Sequence, residues 1–127
     1  MGVWKEFNPN PFSLRTGDCA IRALCAALDV DWDTAYAMAV SAGFDFKKMP
    51  SYDVIWGSVL RRHGFERAIV PNTCPICYTA EDFAHDHPTG VFVLGFGGHT
   101  ATIRDGFLMD SFDSSQECPQ FYWYRKE

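Results

Sequence analysis

His99-Thr100-Ala101-Thr102-Ile103-Arg104-Asp105-Gly106-Phe107-Leu108-Met109-Asp110 reads as two strands folded back on one another. Asp105-Gly106 is a strong hairpin signal, because the favoured two-residue turn needs positive φ at both central positions. With that turn, Arg104 faces Phe107, Ala101 faces Asp110 and His99 faces Phe112. Side chains alternate along a strand, so His99, Ala101, Ile103, Leu108, Asp110 and Phe112 share a face. That face is apolar apart from one imidazole and one carboxylate, set on a diagonal that long side chains can bridge. Asp113 falls on the other face of a regular strand, so Asp110 is the preferred partner of His99. A one-residue bulge would reverse that choice.

Outward from the hairpin, Val91 to Phe96 has strand character, and Phe121 to Arg125 reads as a last strand. Gly97-Gly98 leaves room beside His99 for another group to approach. Upstream the period is helical. Asp18 is an acceptable cap for a helix over Cys19 to Leu28, whose only charged residue is Arg22. Such a helix is expected to be buried on nearly every side. A second helix starts after Asp31, with Trp32, Ala35, Tyr36, Ala39 and Val40 on one apolar face and Gly43 as its stop. A third follows Met49-Pro50 with Ser51 as cap. It carries Tyr52, Ile55, Trp56, Val59 and Leu60 on one face, and Gly64 closes it. A short strand, Arg67 to Val70, is expected next. A fourth helix, Ala80 to His87, has Thr79 and Asp82 placed as a capping box and Pro88 as its stop. Phe7 to Phe12 is extended, because each proline biases its predecessor away from helix. Helices first and an antiparallel sheet afterwards give an α+β order.

The chain has 127 residues, and the expectation is a single domain over 1–127. Aromatic residues reach 16%, enough to supply a packed core and to argue against disorder. The net charge is −5 with no basic block. Nucleic acid and anionic membrane surfaces are therefore poor partners. No segment approaches the roughly 18 apolar residues that span a bilayer. Met1 to Pro11 lacks a basic start followed by an apolar run, so no signal peptide is expected. The five cysteines, Cys19, Cys25, Cys74, Cys77 and Cys118, are then read as reduced thiols in a cytoplasm.

Cys19 stands in the first turn of the buried helix, where unpaired N–H groups favour negative charge and lower a thiol pKa. A thiolate nucleophile needs a base and a group to orient that base. His99 and Asp110 supply both. Gly17-Asp18-Cys19-Ala20-Ile21-Arg22-Ala23, the segment Gly98 to Gly106, and Asp110-Ser111-Phe112-Asp113 together resemble the papain-like cysteine peptidase superfamily. They are closest to small bacterial and phage proteins of the peptidase C39-like type, and the similarity runs from about Asn8 to Trp123. The resemblance implies a papain-like fold with Cys19 as nucleophile, His99 as general base and acid, and Asp110 holding the imidazole tautomer. It also implies a peptide or protein substrate. One departure is plain: many papain-like enzymes carry an oxyanion-hole Gln about six residues before the Cys, where this chain has Ser13. The Cys19 N–H supplies one donor, and the amides of Asn8 and Asn10 are the candidates for the other.

The expected function is thiol-dependent cleavage or transfer at an amide bond, with no cofactor and no metal. The rivals are a papain-like binding or regulatory module without turnover, and a metal or redox protein using Cys74 and Cys77. Cys74-Pro-Ile-Cys77 has the spacing of half a zinc site, but no second pair exists and His85 and His87 lie one residue apart. The favoured reading there is a structural loop. Cys25 is read as a core residue, Arg22 as one half of an ion pair, and His85 and His87 as a solvated last turn.

Overall fold

The structure is a computed structural model, and residues 2–14, 16–71 and 76–125 are described. Helix α1 (Cys19–Leu28) is buried along its whole middle, from Ala20 through Ala27, as its nearly uncharged sequence requires. It ends at Asp29, which takes the left-handed conformation and donates its N–H to Cys25.

Helix α2 (Trp32–Phe46) starts where Asp31 accepts the Thr34 N–H at 2.8 Å. Its inward face differs from the expected one. Ala35, Ala39, Ala42 and Gly43 are buried, whereas Tyr36 and Val40 are 46% and 38% exposed. The fully buried part of the seam is thus made of small residues, with Trp32 and Met38 packed half-buried at its side, and Tyr36 instead stacks on Trp32 at 4.9 Å. Nor does Gly43 stop the helix. Its carbonyl accepts the Lys48 N–H at 3.0 Å, and a Cβ at Gly43 would lie 2.6 Å from the Lys48 carbonyl oxygen. This glycine admits the returning chain, and the stop falls on Lys47.

Helix α3 (Asp53–Arg62) buries Ile55, Trp56, Val59 and Leu60 as the spacing predicts. Its cap is Tyr52 rather than Ser51, without a side-chain hydrogen bond, and Tyr52 lies exposed outside the core. Strand β2 (Phe65–Ile69) follows, starting two residues before the expected Arg67. Helix α4 (Ala80–Asp86) has the full capping box: the Asp82 N–H reaches Thr79 Oγ1 and the Thr79 N–H reaches Asp82 Oδ2, both at 3.1 Å.

The remaining strands are β1 (Trp4–Glu6), β3 (Val91–Phe96), β4 (His99–Arg104), β5 (Phe107–Asp110) and β6 (Phe121–Arg125). Together with β2 they form one sheet in the order β1-β5-β4-β3-β6-β2. The α+β class holds, but the sheet is mixed rather than antiparallel, because β1 runs parallel to β5. Strands also precede and interrupt the helices: β1 comes before α1, and β2 lies between α3 and α4. Three residues are too few to show a period, so β1 left no signal. Its place is fixed by β5, through hydrogen bonds from Leu108 N to Val3 O (2.9 Å) and Phe7 N to Asp110 O (2.8 Å).

The sheet separates two cores. On one face α1, α2 and α3 pack against Val93, Phe121 and Trp123. On the other, α4 contributes Ala80, Phe83 and Ala84 against Leu94, Phe96, Ala101, Ile103 and Leu108. Among the described residues no helix is long and apolar enough to cross a membrane.

Candidate active site

The β4–β5 hairpin has the register set by a two-residue turn. Arg104 pairs with Phe107, Ile103 with Leu108 and Thr102 with Met109. Asp105 and Gly106 take φ of 50° and 80°, the two positive values that such a turn needs. Asp110 therefore comes to lie diagonally from His99, and Asp110 Oδ2 accepts from His99 Nε2 at 2.6 Å. Asp113 is engaged elsewhere, its Oδ1 accepting the Ser115 N–H at 3.0 Å.

Asp110 is only 3% exposed, and its oxygens are held from several sides. The Ser111 N–H donates to Oδ1 at 2.7 Å and the Ser114 hydroxyl to Oδ2 at 2.6 Å. Its backbone carbonyl takes the Trp4 indole N–H at 3.1 Å and the Phe7 N–H at 2.8 Å. Ser114 was not foreseen. It lies beyond the end of β5, where no period indicates which way a side chain points. The role of Trp4 was hidden for the same reason as β1.

Cys19 approaches His99 from the start of α1. By alternation His99 stands on the pleat of Ala101 and Ile103, toward α4, while the Thr102 hydroxyl donates to the Ala23 carbonyl of α1 at 2.8 Å. His99 opens β4 and Cys19 opens α1, so each stands at the first residue of its element. Cys19 lies close enough to the His99 side chain and the Thr100 backbone N–H for both to lower its thiol pKa. His99 Nε2 is taken by Asp110, which leaves Nδ1 as the ring nitrogen for the thiol.

The electrostatics follow from these contacts. Burial acts to raise the Cys19 pKa, but the hydrogen bond and positive charge of His99, the Thr100 N–H and the Arg22 charge outweigh it, and the thiol lies below its ordinary value. Burial acts to lower the His99 pKa, yet the bonds to Asp110 and Cys19 raise it to about 9. The two shifts favour a thiolate beside an imidazolium. Phe96 and Phe112 flank the ring at centroid distances of 5.8 and 4.9 Å and limit its contact with water. Cys25, by contrast, is buried in the core, and burial followed by the Asp31 and Asp18 charges pushes its thiol up to about 12.

The oxyanion candidates sit in a tight loop. Asn8 Oδ1 accepts the Asn10 N–H at 3.2 Å, and Asn10 Oδ1 accepts the Phe12 N–H at 2.9 Å. These are turns that Asn makes with its own backbone. Asn8 Nδ2 donates to the Leu14 carbonyl at 3.2 Å, whereas Asn10 Nδ2 donates to Asp18 Oδ2, also at 3.2 Å. Asn10 is thus tied to the residue before Cys19, and Asn8 to its own loop. Arg22 forms the ion pair read from the sequence, with Asp18.

Cys77 and Cys118 depart from the expected reduced state, for the structure joins them as a disulfide with Cα atoms 6.2 Å apart. The segment before β6 runs along the start of α4, with Ala80 N bonded to Glu117 O and Glu81 N to Ser115 O, both at 2.9 Å. That pairing carries Cys118 to Cys77 across 41 residues of sequence. Cys74 lies outside the described residues, and Cys77 has a different partner from the one a C-x-x-C redox pair requires. His87 is no solvated side chain either: it stacks on Phe83 at 4.0 Å and shares a hydrogen bond with the Phe83 carbonyl. Among the described residues no three His, Cys, Asp or Glu side chains gather as metal ligands. No protein-family model, no curated protein and no solved structure matches this chain.

Proposed function

We propose that this chain is a papain-like cysteine peptidase, or a related thiol-dependent amide hydrolase or acyl transferase, acting on a peptide or protein through Cys19, His99 and Asp110. The observation that carries the reading is the 2.6 Å bond of Asp110 to His99 with Cys19 at the α1 N-terminus, supported by the lowered thiol pKa and the raised imidazole pKa. Cys19 Sγ attacks the amide carbonyl carbon, and the carbonyl π electrons move to oxygen. The tetrahedral intermediate collapses as His99 Nδ1 gives its proton to the departing nitrogen and the C–N bond breaks. A thioester on Cys19 remains. Neutral His99 then takes a proton from water or an acceptor amine, which attacks the thioester and regenerates the thiolate. Asp110 keeps the ring in the tautomer and orientation this requires.

The missing Gln, replaced by Ser13, favours a second reading in which the same domain binds without turning over. An activity-based cysteine probe, with the labelled peptide located by mass spectrometry, separates them. The enzyme reading expects label on Cys19 alone, reduced on the order of 100-fold or more by His99→Ala. Absence of label on Cys19, or label unaffected by that substitution, contradicts it.

A further inference from the structure

Asp18 immediately precedes the nucleophile and occupies the N-cap of α1, yet its carboxylate makes no cap hydrogen bond. An Asp in this position ordinarily turns its side chain over the N–H groups of the first helical turn. Here three donors draw it away. Arg22 binds Oδ1, and the Trp32 indole N–H and Asn10 Nδ2 bind Oδ2 at 2.9 and 3.2 Å. The backbone of Asp18 is correspondingly outside the usual cap region, with φ −100° and ψ 26°. The first intrahelical bond at this end runs from the Arg22 N–H to the Asp18 carbonyl, so the Cys19 N–H stands ahead of the ladder. Both partners of the ion pair are buried, which keeps the pair out of competition with water.

We propose that Asp18 is a positioning residue: held by Arg22, Trp32 and Asn10, it fixes the Asp18–Cys19 peptide and leaves the α1 N-terminus uncapped, so that the Cys19 N–H is aimed at the oxyanion with no carboxylate opposing it. The proposal rests on Cys19 being the nucleophile. Its physical content is twofold. A carboxylate over the first turn would place negative charge where the oxyanion forms, and the network removes it. The same carboxylate joins the loop bearing Asn10, helix α2 through Trp32, and α1 through Arg22 at one point, so the donor is fixed before the substrate arrives. The arrangement was half legible in Gly17-Asp18-Cys19, which reads as an ordinary cap. Trp32, 14 residues away from Asp18, was the partner that could not be read.

Two reactions of the same thiol provide the test. Iodoacetamide alkylates by displacement of iodide and forms no oxyanion. p-Nitrophenyl acetate passes through one: the thiolate adds to the ester carbonyl, and collapse expels p-nitrophenolate and leaves S-acetyl Cys19. Asp18→Ser substitutes a short side chain that caps its own helix and cannot hold the network. The expected result is acylation slowed at least about tenfold, with Cys19 alkylation within about threefold of wild type. Asp18→Ser strands the buried Arg22, so Trp32→Phe, which removes one donor and keeps the ring, is measured beside it. It is expected to slow acylation in the same selective way, by a smaller factor. Acylation and alkylation slowed equally in both variants, or neither slowed, overturns the proposal while leaving the nucleophile assignment intact. A wild-type Cys19 no more reactive than glutathione overturns both.

Discussion

His99 carries a proton at pH values where a free imidazole has lost it, and Cys19 loses one where a free thiol keeps it. The consequences for stability oppose each other. The raised pKa of His99 gives stabilisation that is complete below 6.5 and lost as pH rises through about 9. The lowered pKa of Cys19 gives stabilisation that is complete above 9.0 and lost as pH falls through its folded value. Within the span from 6.5 to about 9, at pH values above the folded Cys19 value, the folded pair and the unfolded pair hold the same number of protons, so their joint contribution is flat there. Cys19→Ser removes one side of the balance. Urea unfolding across that range is expected to show stability of the variant falling with pH relative to wild type, because Asp110 still holds the imidazolium. A difference that is flat with pH would contradict the pairing. Asp110→Asn tests the other contact: the His99 imidazole, followed by NMR, is expected to titrate closer to 6.5 than to 9. Ser114→Ala, which removes one donor to Asp110 Oδ2, leaves His99 as the sole donor the structure shows on that oxygen. Of these residues, Cys19, His99 and Asp110 were legible because a helix terminus and a hairpin register are local properties. Ser114, Trp4 and Trp32 were not, because each reaches the site from an irregular segment or a distant element.

At the scale of elements, the sequence was clearest where the period and its boundaries agreed. α1, β3, β4 and β6 run over the residues expected, and Thr79 with Asp82 marked the start of α4. α2 shows why the remainder failed. Its large apolar residues Tyr36 and Val40 pointed inward on paper, but the fully buried face is Ala35, Ala39, Ala42 and Gly43, with Trp32 and Met38 half-buried beside it. A tertiary preference for small side chains outweighed hydrophobicity, and no pattern within the helix reports what lies opposite. Gly43→Ala tests this account. In an open helix the change would stabilise by about 1 kcal/mol. Here the new Cβ would stand 2.6 Å from a backbone oxygen, so destabilisation of about 1–3 kcal/mol is expected in urea unfolding. A stabilised variant would show that the α2–α3 connection yields easily.

Across the whole molecule, the site depends on contacts far apart in sequence. β1 supplies the edge on which Asp110 rests, α1 and β4 carry the thiol and the imidazole, and α2 anchors the residue before Cys19. The Cys77–Cys118 bond closes 41 residues spanning α4 and the β3–β5 meander. Cys118→Ser is expected to lower stability by about 2–4 kcal/mol in non-reducing buffer, with no change under strong reductant. Equal losses in both conditions would mean that Cys118 acts through packing alone. The central claim, that His99 turns Cys19 into a nucleophile, is tested most directly by the pH dependence of Cys19 alkylation by iodoacetamide, resolved by peptide mapping. The structure predicts a Cys19 rate below pH 7 well above that of glutathione, falling by at least about tenfold in His99→Ala. A Cys19 rate that follows an ordinary thiol, rising only toward pH 9.0 and indifferent to His99→Ala, would contradict it.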